Sequence, residues 1–156
     1  MMEMPRLLDE HRRLKALAGD WVGEETILPS PWDPKGGPAK GRAESRVAMD
    51  GFYVVTDYEQ ERGGRVGYRG HGVFGFDPKE QRWFMSWADS MGGMAPVPVW
   101  GTWKGDTLTF EAANPGCGHS RYVYRFVKDG EYTFAIQNSA DGSTWSTFMD
   151  GKFRRK

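Results

Sequence analysis

The chain has 156 residues, with 21 Lys and Arg against 21 Asp and Glu, one Cys and a formal net charge of zero. Zero net charge argues against a nucleic-acid-binding protein, and one cysteine excludes a disulfide framework or a four-cysteine zinc site. No run of the sequence reaches the ~18 apolar residues that a membrane span requires. The length fits a single domain, 1–156, with one hydrophobic core.

The first residues, MMEMPRLLDEHRRLK, predict a helix rather than a secretory signal. They are charged throughout and lack the apolar centre of a signal peptide, so we expect a cytoplasmic protein. Pro5 suits a first helical turn, and Leu7, Leu14 and Leu17 fall on one apolar face. Gly19 is a natural helix end, and the helix is therefore predicted over about 5–18.

After Gly19 the sequence predicts strands only, because dipeptides such as Asp50-Gly51, Gly63-Gly64 and Asp129-Gly130 recur at the spacing of consecutive hairpins. The segment 29–39 is rich in proline and glycine and is expected to be irregular. Long strands joined by short turns form a meander, which closes because closure removes both open edges. The predicted fold class is all-β, a single antiparallel up-and-down barrel of about ten strands. The predicted strands are 20–28, 40–49, 52–61, 65–76, 82–89, 97–104, 107–113, 119–127, 131–139 and 145–154.

Alternation along these strands separates two faces and gives candidates for the inside of the barrel. Large rings would supply apolar burial, and His71, Asp89 and the tyrosine hydroxyls would orient a polar end of a ligand. The alternative is an ordinary core packed with rings, and a shift of one residue would reverse the face of a whole strand. The candidate ligand-binding residues are Tyr58, His71, Met85, Trp87, Asp89, Trp100, Tyr122 and Tyr124.

The glycines of the predicted strand 65–76 need an explanation, because glycine weakens the interior of a strand. They are Gly67, Gly70, Gly72 and Gly75. Bending at a barrel corner, close packing against large rings, or a ligand near the backbone would each explain them.

The segment that contains Gly19-Asp20-Trp21 follows a short helix and opens the first strand. It resembles the opening motif of the calycins, the group that includes lipocalins and fatty-acid-binding proteins. The resemblance implies that Trp21 plugs one end of the barrel and that Arg154 or Arg155 from the last strand packs over it. This contact would be structural, and a guanidinium over an indole contributes about 0.5–2 kcal/mol.

Nearly the whole chain is similar to a bacterial family of calycin-like proteins known as domain of unknown function 1579. The residues that carry the likeness include Asp50-Gly51-Phe52-Tyr53, the run from Tyr68 to Pro78, and Gly105-Asp106 after Trp103. The resemblance implies a fold, and it implies no established activity.

The leading hypothesis is a non-enzymatic barrel that binds a hydrophobic or amphipathic small molecule, with no catalytic residue, no metal and no cofactor. No phosphate loop, nucleophile elbow or dinucleotide motif is present. Cys117 lies two residues from His119, but no third orienting residue accompanies them, so a catalytic cysteine is not expected. The histidines lack metal-motif spacing.

Three alternatives remain open. One is an isomerase or lyase that uses His71 as base with Asp89 or Tyr124 as acid. Another is a haem-binding barrel, because the opening also resembles that of nitrobindin, whose iron-ligating histidine lies on a late strand. The late strands here contain no histidine, so His71 or His119 would have to bind the iron in a different geometry.

The last alternative is a homodimer formed through outward-facing rings. The candidates for such a surface are Trp32, Trp100 and Trp103.

Overall fold

The N-terminal helix of the computed structural model is shorter than the sequence predicts. The structure describes residues 2–94, 98–114, 116 and 118–156. Helix α1 covers Asp9–Arg13 and continues as a 3₁₀ turn over Leu14–Leu17. The backbone N–H of Leu8 donates to Nδ1 of His11 at 3.0 Å, which fixes the start of the helix. A helix this short depends on tertiary packing for its stability, and Leu14 and Leu17 supply it because both are buried.

Ten antiparallel strands follow, and each pairs with its neighbours in sequence. The first and last strands also pair, with Trp21 opposite Arg155, so the sheet closes into a barrel. The predicted all-β barrel is confirmed. The strands are β1 Gly19–Ile27, β2 Gly37–Ala48, β3 Tyr53–Arg62, β4 Arg65–Asp77, β5 Arg82–Asp89, β6 Val99–Lys104, β7 Thr107–Asn114, β8 Gly118–Lys128, β9 Glu131–Ser139 and β10 Ser146–Arg155.

The structure corrects the predicted strand bounds in the segment 29–39. The segment 29–39 is irregular only in its first part, because β2 begins at Gly37 and pairs with Ile27 at the far end of β1. Pairing along the whole of β1 therefore places the start of β2 inside the proline- and glycine-rich stretch. The predicted start of the sixth strand, Val97, lies outside the described residues.

One end of the barrel is closed around Trp21, whose side chain is 2% exposed. Its indole N–H donates to the carbonyl of Leu17 at 2.9 Å, and the ring meets Tyr132 edge-on with centroids 4.6 Å apart. The guanidinium of Arg155 lies 4.7 Å from the indole centroid and also pairs with Asp129 at 2.8 Å. The structure thus confirms the expected plug and assigns the covering role to Arg155, while Arg154 points to the opposite face of β10.

Ring packing explains three of the four glycines in β4. A Cβ on Gly72 would lie 2.6 Å from Cε3 of Trp87, and Gly70 lies against the same ring. Gly75 is covered in the same way by Phe84, whereas Gly67 has open space where its Cβ would be. The absent side chains therefore make room for rings of β5.

No helix in the described part of the chain has the length and apolar character needed to cross a membrane.

Candidate ligand-binding site

The barrel contains a cavity of about 770 Å³. This volume lies within the range of about 300–1,000 Å³ that small-molecule pockets span. The rings that line it are Trp32, Tyr58, Tyr68, Phe74, Trp87, Tyr122, Tyr124, Tyr132, Phe134, Phe148 and Phe153. The other lining residues are Leu17, Ile27, Ala43, Met85, Gly93, Met94, Val99, Ile136 and Met149, with Ser45, Thr56, Gln60, Asp89 and Asn138 as the polar members.

Most of the sequence-derived candidates reach this cavity. Strand alternation turns the same face of each strand inward, so the rings of β8 and the alternate residues of β5 come together. The candidates that line the cavity are Tyr58, Met85, Trp87, Asp89, Tyr122 and Tyr124. Their role in binding stays a prediction.

The other two candidates, His71 and Trp100, lie on the outer face, which corrects the face assigned to them. His71 Nδ1 is 2.7 Å from Oδ1 of Asp57, its cross-strand neighbour, and its side chain is half exposed. The glycines on either side of it, Gly70 and Gly72, face inward, where Trp87 covers them. The guanidinium of Arg82 lies 4.1 Å from the Trp100 ring on the outside of the barrel.

The placement of His71 removes the base from the isomerase or lyase hypothesis. Asp89 and Tyr124 line the cavity, and His71 faces away from it. The structure therefore does not bring the proposed acid and base together in one cavity, as proton transfer would require.

All three histidines of the chain lie in the described part, and none of them lines the cavity. His11 is buried outside it, in edge-on contact with Phe52 at 5.1 Å, and the ring of His119 lies 6.4 Å from that of Trp145. The cavity walls thus provide no histidine to ligate haem iron. Within the described residues no group of three or more His, Cys, Asp or Glu is placed to hold a metal ion, and Cys117 lies outside them.

The rings expected to form a dimer surface have different environments. Trp103 faces inward, stacked on Phe126 with centroids 5.4 Å apart, which corrects its assignment. Trp100 is on the outer face, and Trp32 is 70% exposed at the edge of the cavity. Dimerisation stays a prediction.

Glu25, which is not among the residues predicted from the sequence, has a carboxyl group buried inside the barrel, with 3% exposure. The Tyr58 hydroxyl lies 2.7 and 2.8 Å from its two carboxylate oxygens, and Gln60 donates to the Tyr58 oxygen at 3.1 Å. Burial raises the pKa of Glu25 to about 7, although the hydrogen bond from Tyr58 opposes this shift. Burial and the nearby Glu25 charge also raise the pKa of Tyr58. The alternation of β1 could have revealed this residue, because Trp21, Glu25 and Ile27 share one face.

A second polar group inside the barrel joins Tyr68, Trp87 and Asp89. The Trp87 indole donates to the Tyr68 oxygen at 2.9 Å, and the Tyr68 hydroxyl donates to Oδ2 of Asp89 at 3.1 Å. Burial raises the pKa of Tyr68 to about 12. These bonds fix the orientation of two rings and hold the Asp89 carboxylate at the cavity wall.

The comparison with protein families matches residues 7–155 to the family described as protein of unknown function, DUF1579. The chain belongs to this family. The match confirms the resemblance inferred from the motifs, and no curated protein matches the chain.

Two solved structures are similar to this DUF1579 protein over nearly its full length. One is Rv2717c from M. tuberculosis, with a TM-score of 0.69 and 13% identity, covering 97% of this chain and 99% of that one. The other is the S-type phycobiliprotein lyase CPES from Guillardia theta, with a TM-score of 0.65 and 9% identity, covering 97% and 98%. At these identities the likeness shows the fold alone.

Proposed function

We propose that this protein binds a hydrophobic or amphipathic small molecule inside its barrel. The observation that carries the proposal is the cavity of about 770 Å³, walled mainly by rings and bearing a few polar groups. Ligand pockets combine these two properties, because apolar walls supply burial and sparse polar groups orient the ligand. The same barrel fold in a phycobiliprotein lyase is consistent with this proposal.

The many aromatic rings have two interpretations, a packed core and the wall of a ligand cavity, and each applies to a different set of rings. Leu108 and Phe110 are fully buried, belong to the same core cluster as Trp21 and do not line the cavity. Trp87 and Tyr122, in contrast, are only partly buried and border the cavity. Burying this remaining ring surface against a ligand would gain about 25 cal/mol per Å² of apolar area.

The proposal is tested by titration with the neutral apolar fluorophore 1-aminoanthracene. We expect saturable binding of one molecule per chain. Ile136→Trp adds bulk at the cavity wall, and Val123→Trp makes a comparable change on β8, on the face opposite Tyr122 and Tyr124.

Binding should weaken at least tenfold in Ile136→Trp and stay unchanged in Val123→Trp, with both variants checked for folding by circular dichroism. A wild-type protein that shows no saturable binding would overturn the proposal. Equal binding by the two variants would overturn it as well, because the fluorophore would then bind outside the lumen.

A further inference from the structure

Asp89 places a carboxylate at the wall of the cavity. Among the described residues, no Lys, Arg or His lines it. No basic side chain occurs among the residues that the structure does not describe, which are Met1, 95–97, Pro115 and Cys117. Asp89 accepts hydrogen bonds from the Tyr68 hydroxyl at 3.1 Å and the Met91 N–H at 3.0 Å, and both donors are neutral.

Two basic residues lie near this site. Arg69 follows Tyr68 on β4, and its guanidinium is 3.5 Å from Oε1 of Glu59. Arg62 lies two residues beyond Gln60 on β3. Its guanidinium is 2.6 Å from Oδ2 of Asp33 and 3.0 Å from the carbonyl of Gly36. Arg62 is thus engaged by another carboxylate. The negative charge of Asp89 has no ion-pair partner within the described part of the chain.

Three rings stand beside this carboxylate. The Tyr58 centroid is 6.0 Å from that of Tyr68 and 6.2 Å from that of Trp87, and the planes are inclined by 64° and 54°. Tyr58 is held by its contact with Glu25, and Trp87 by its hydrogen bond to Tyr68. All three rings line the cavity. The face of an aromatic ring attracts a cation held within about 6 Å of it, above all a quaternary ammonium group.

We infer that the cavity selects a cationic amphiphile, with its ammonium head among Tyr58, Tyr68 and Trp87 beside Asp89, and its apolar part against the deeper rings. This inference rests on the proposed binding function and names the ligand class. Glu25, behind Tyr58, adds a second acidic group to the same side of the barrel.

The charge balance argues against an anionic ligand such as a fatty acid. A carboxylate in this cavity would lose its hydration and gain no counter-ion from the lining residues, and Asp89 would repel it. A neutral amphiphile would gain the apolar contacts alone. A cation gains the apolar contacts, the ring faces and the carboxylate together.

The test compares octyltrimethylammonium, 1-octanol and octanoate, which share an eight-carbon chain and differ in the charge of the head group. Each is titrated by calorimetry and by displacement of 1-aminoanthracene at low ionic strength. We expect the ammonium to bind about tenfold more tightly than octanol, and octanoate to bind most weakly.

Two matched variants test whether the charge of Asp89 causes the preference for the ammonium. Asp89→Asn keeps an acceptor for the Tyr68 hydroxyl but removes the charge, so it should weaken ammonium binding about tenfold more than it weakens octanol binding. Asp57→Asn is the same change on the outer face of β3 and should alter neither affinity.

Two results would overturn the inference and leave the proposed function standing. Octanol or octanoate could bind as tightly as the ammonium while the fluorophore still binds, or Asp89→Asn could bind the ammonium as tightly as the wild type does. If neither the fluorophore nor any of the three probes binds, the proposed function fails and the inference fails with it.

Discussion

The hydroxyl of Tyr58 on β3 reaches both carboxylate oxygens of Glu25 on β1, at 2.7 and 2.8 Å, across the inside of the barrel. Glycines on the two strands beside β1 make this contact possible. A Cβ on Gly41 would lie 2.9 Å from Cδ of Glu25, and one on Gly151 would lie 2.9 Å from its Cγ. The barrel thus holds a buried glutamate, a residue that is rarely buried unless it has a partner.

The raised pKa of Glu25 predicts a specific pH dependence of stability. The carboxyl has a folded-state pKa of about 7 against its usual 4.5, so between these values the folded protein binds more protons than the unfolded chain. The free energy of unfolding should therefore fall as pH rises through this window, by up to about 3 kcal/mol from this group. Glu25→Gln should lack this loss.

Urea denaturation at about pH 5 and about pH 8 measures the effect in both proteins. The difference between the two pH values should be larger in the wild type than in Glu25→Gln by about 3 kcal/mol at most. Identical pH profiles would show that Glu25 is already ionised in the folded protein at the lower pH.

Tyr58→Phe should destabilise the protein, because it removes the ring hydroxyl that donates to the Glu25 carboxyl. Loss of a donor to a buried acidic group costs about 1–3 kcal/mol. The pKa of Glu25 should also rise further, because the Tyr58 hydrogen bond lowers it. Carbon-13 NMR of the glutamate carboxyls follows this titration.

Tyr53→Phe is the control for Tyr58→Phe, since it makes the same change on the opposite face of β3. Equal stability losses in the two variants would show that the Tyr58 hydroxyl has no special role.

Arg155→Gln should lower the free energy of unfolding by about 1–2 kcal/mol, because the guanidinium covers the Trp21 indole and binds the carbonyl of Ala18. Arg154→Gln removes the same charge from the neighbouring position, which points to the other face of β10, and should cost less than about 0.5 kcal/mol. Thermal and urea unfolding compare the two. A larger loss in Arg154→Gln would contradict the assignment of Arg155 as the cover of the plug.

Gly72→Ala should destabilise the protein by about 1–3 kcal/mol, because its Cβ would press on Trp87, 2.6 Å from Cε3. It should also weaken fluorophore binding, since Trp87 lines the cavity. Gly67→Ala is the control in the same strand, where nothing lies within 4 Å of the added Cβ. If both substitutions are tolerated equally, ring packing is not the reason for glycine at position 72.

Local sequence patterns are sufficient to predict most of the fold. The site is predicted less completely, because it depends on contacts between strands that are distant in the sequence. Turn dipeptides and alternation predicted the strands, and they placed Tyr122 and Tyr124 on the inner face of β8. His71 is predicted to line the lumen, whereas pairing between strands places it opposite Asp57 on the outer face. Glu25 was missed because a glutamate in a strand is usually solvated, and only the closed barrel shows Gly41 and Gly151 on either side of it.

A crystal structure of the protein soaked with 1-aminoanthracene tests the central claim most directly. The account predicts density for one molecule inside the barrel, in contact with Phe134 and Trp87, with the wall side chains largely unmoved. Density confined to the outer surface, or an interior occupied by the protein's own side chains, would contradict it.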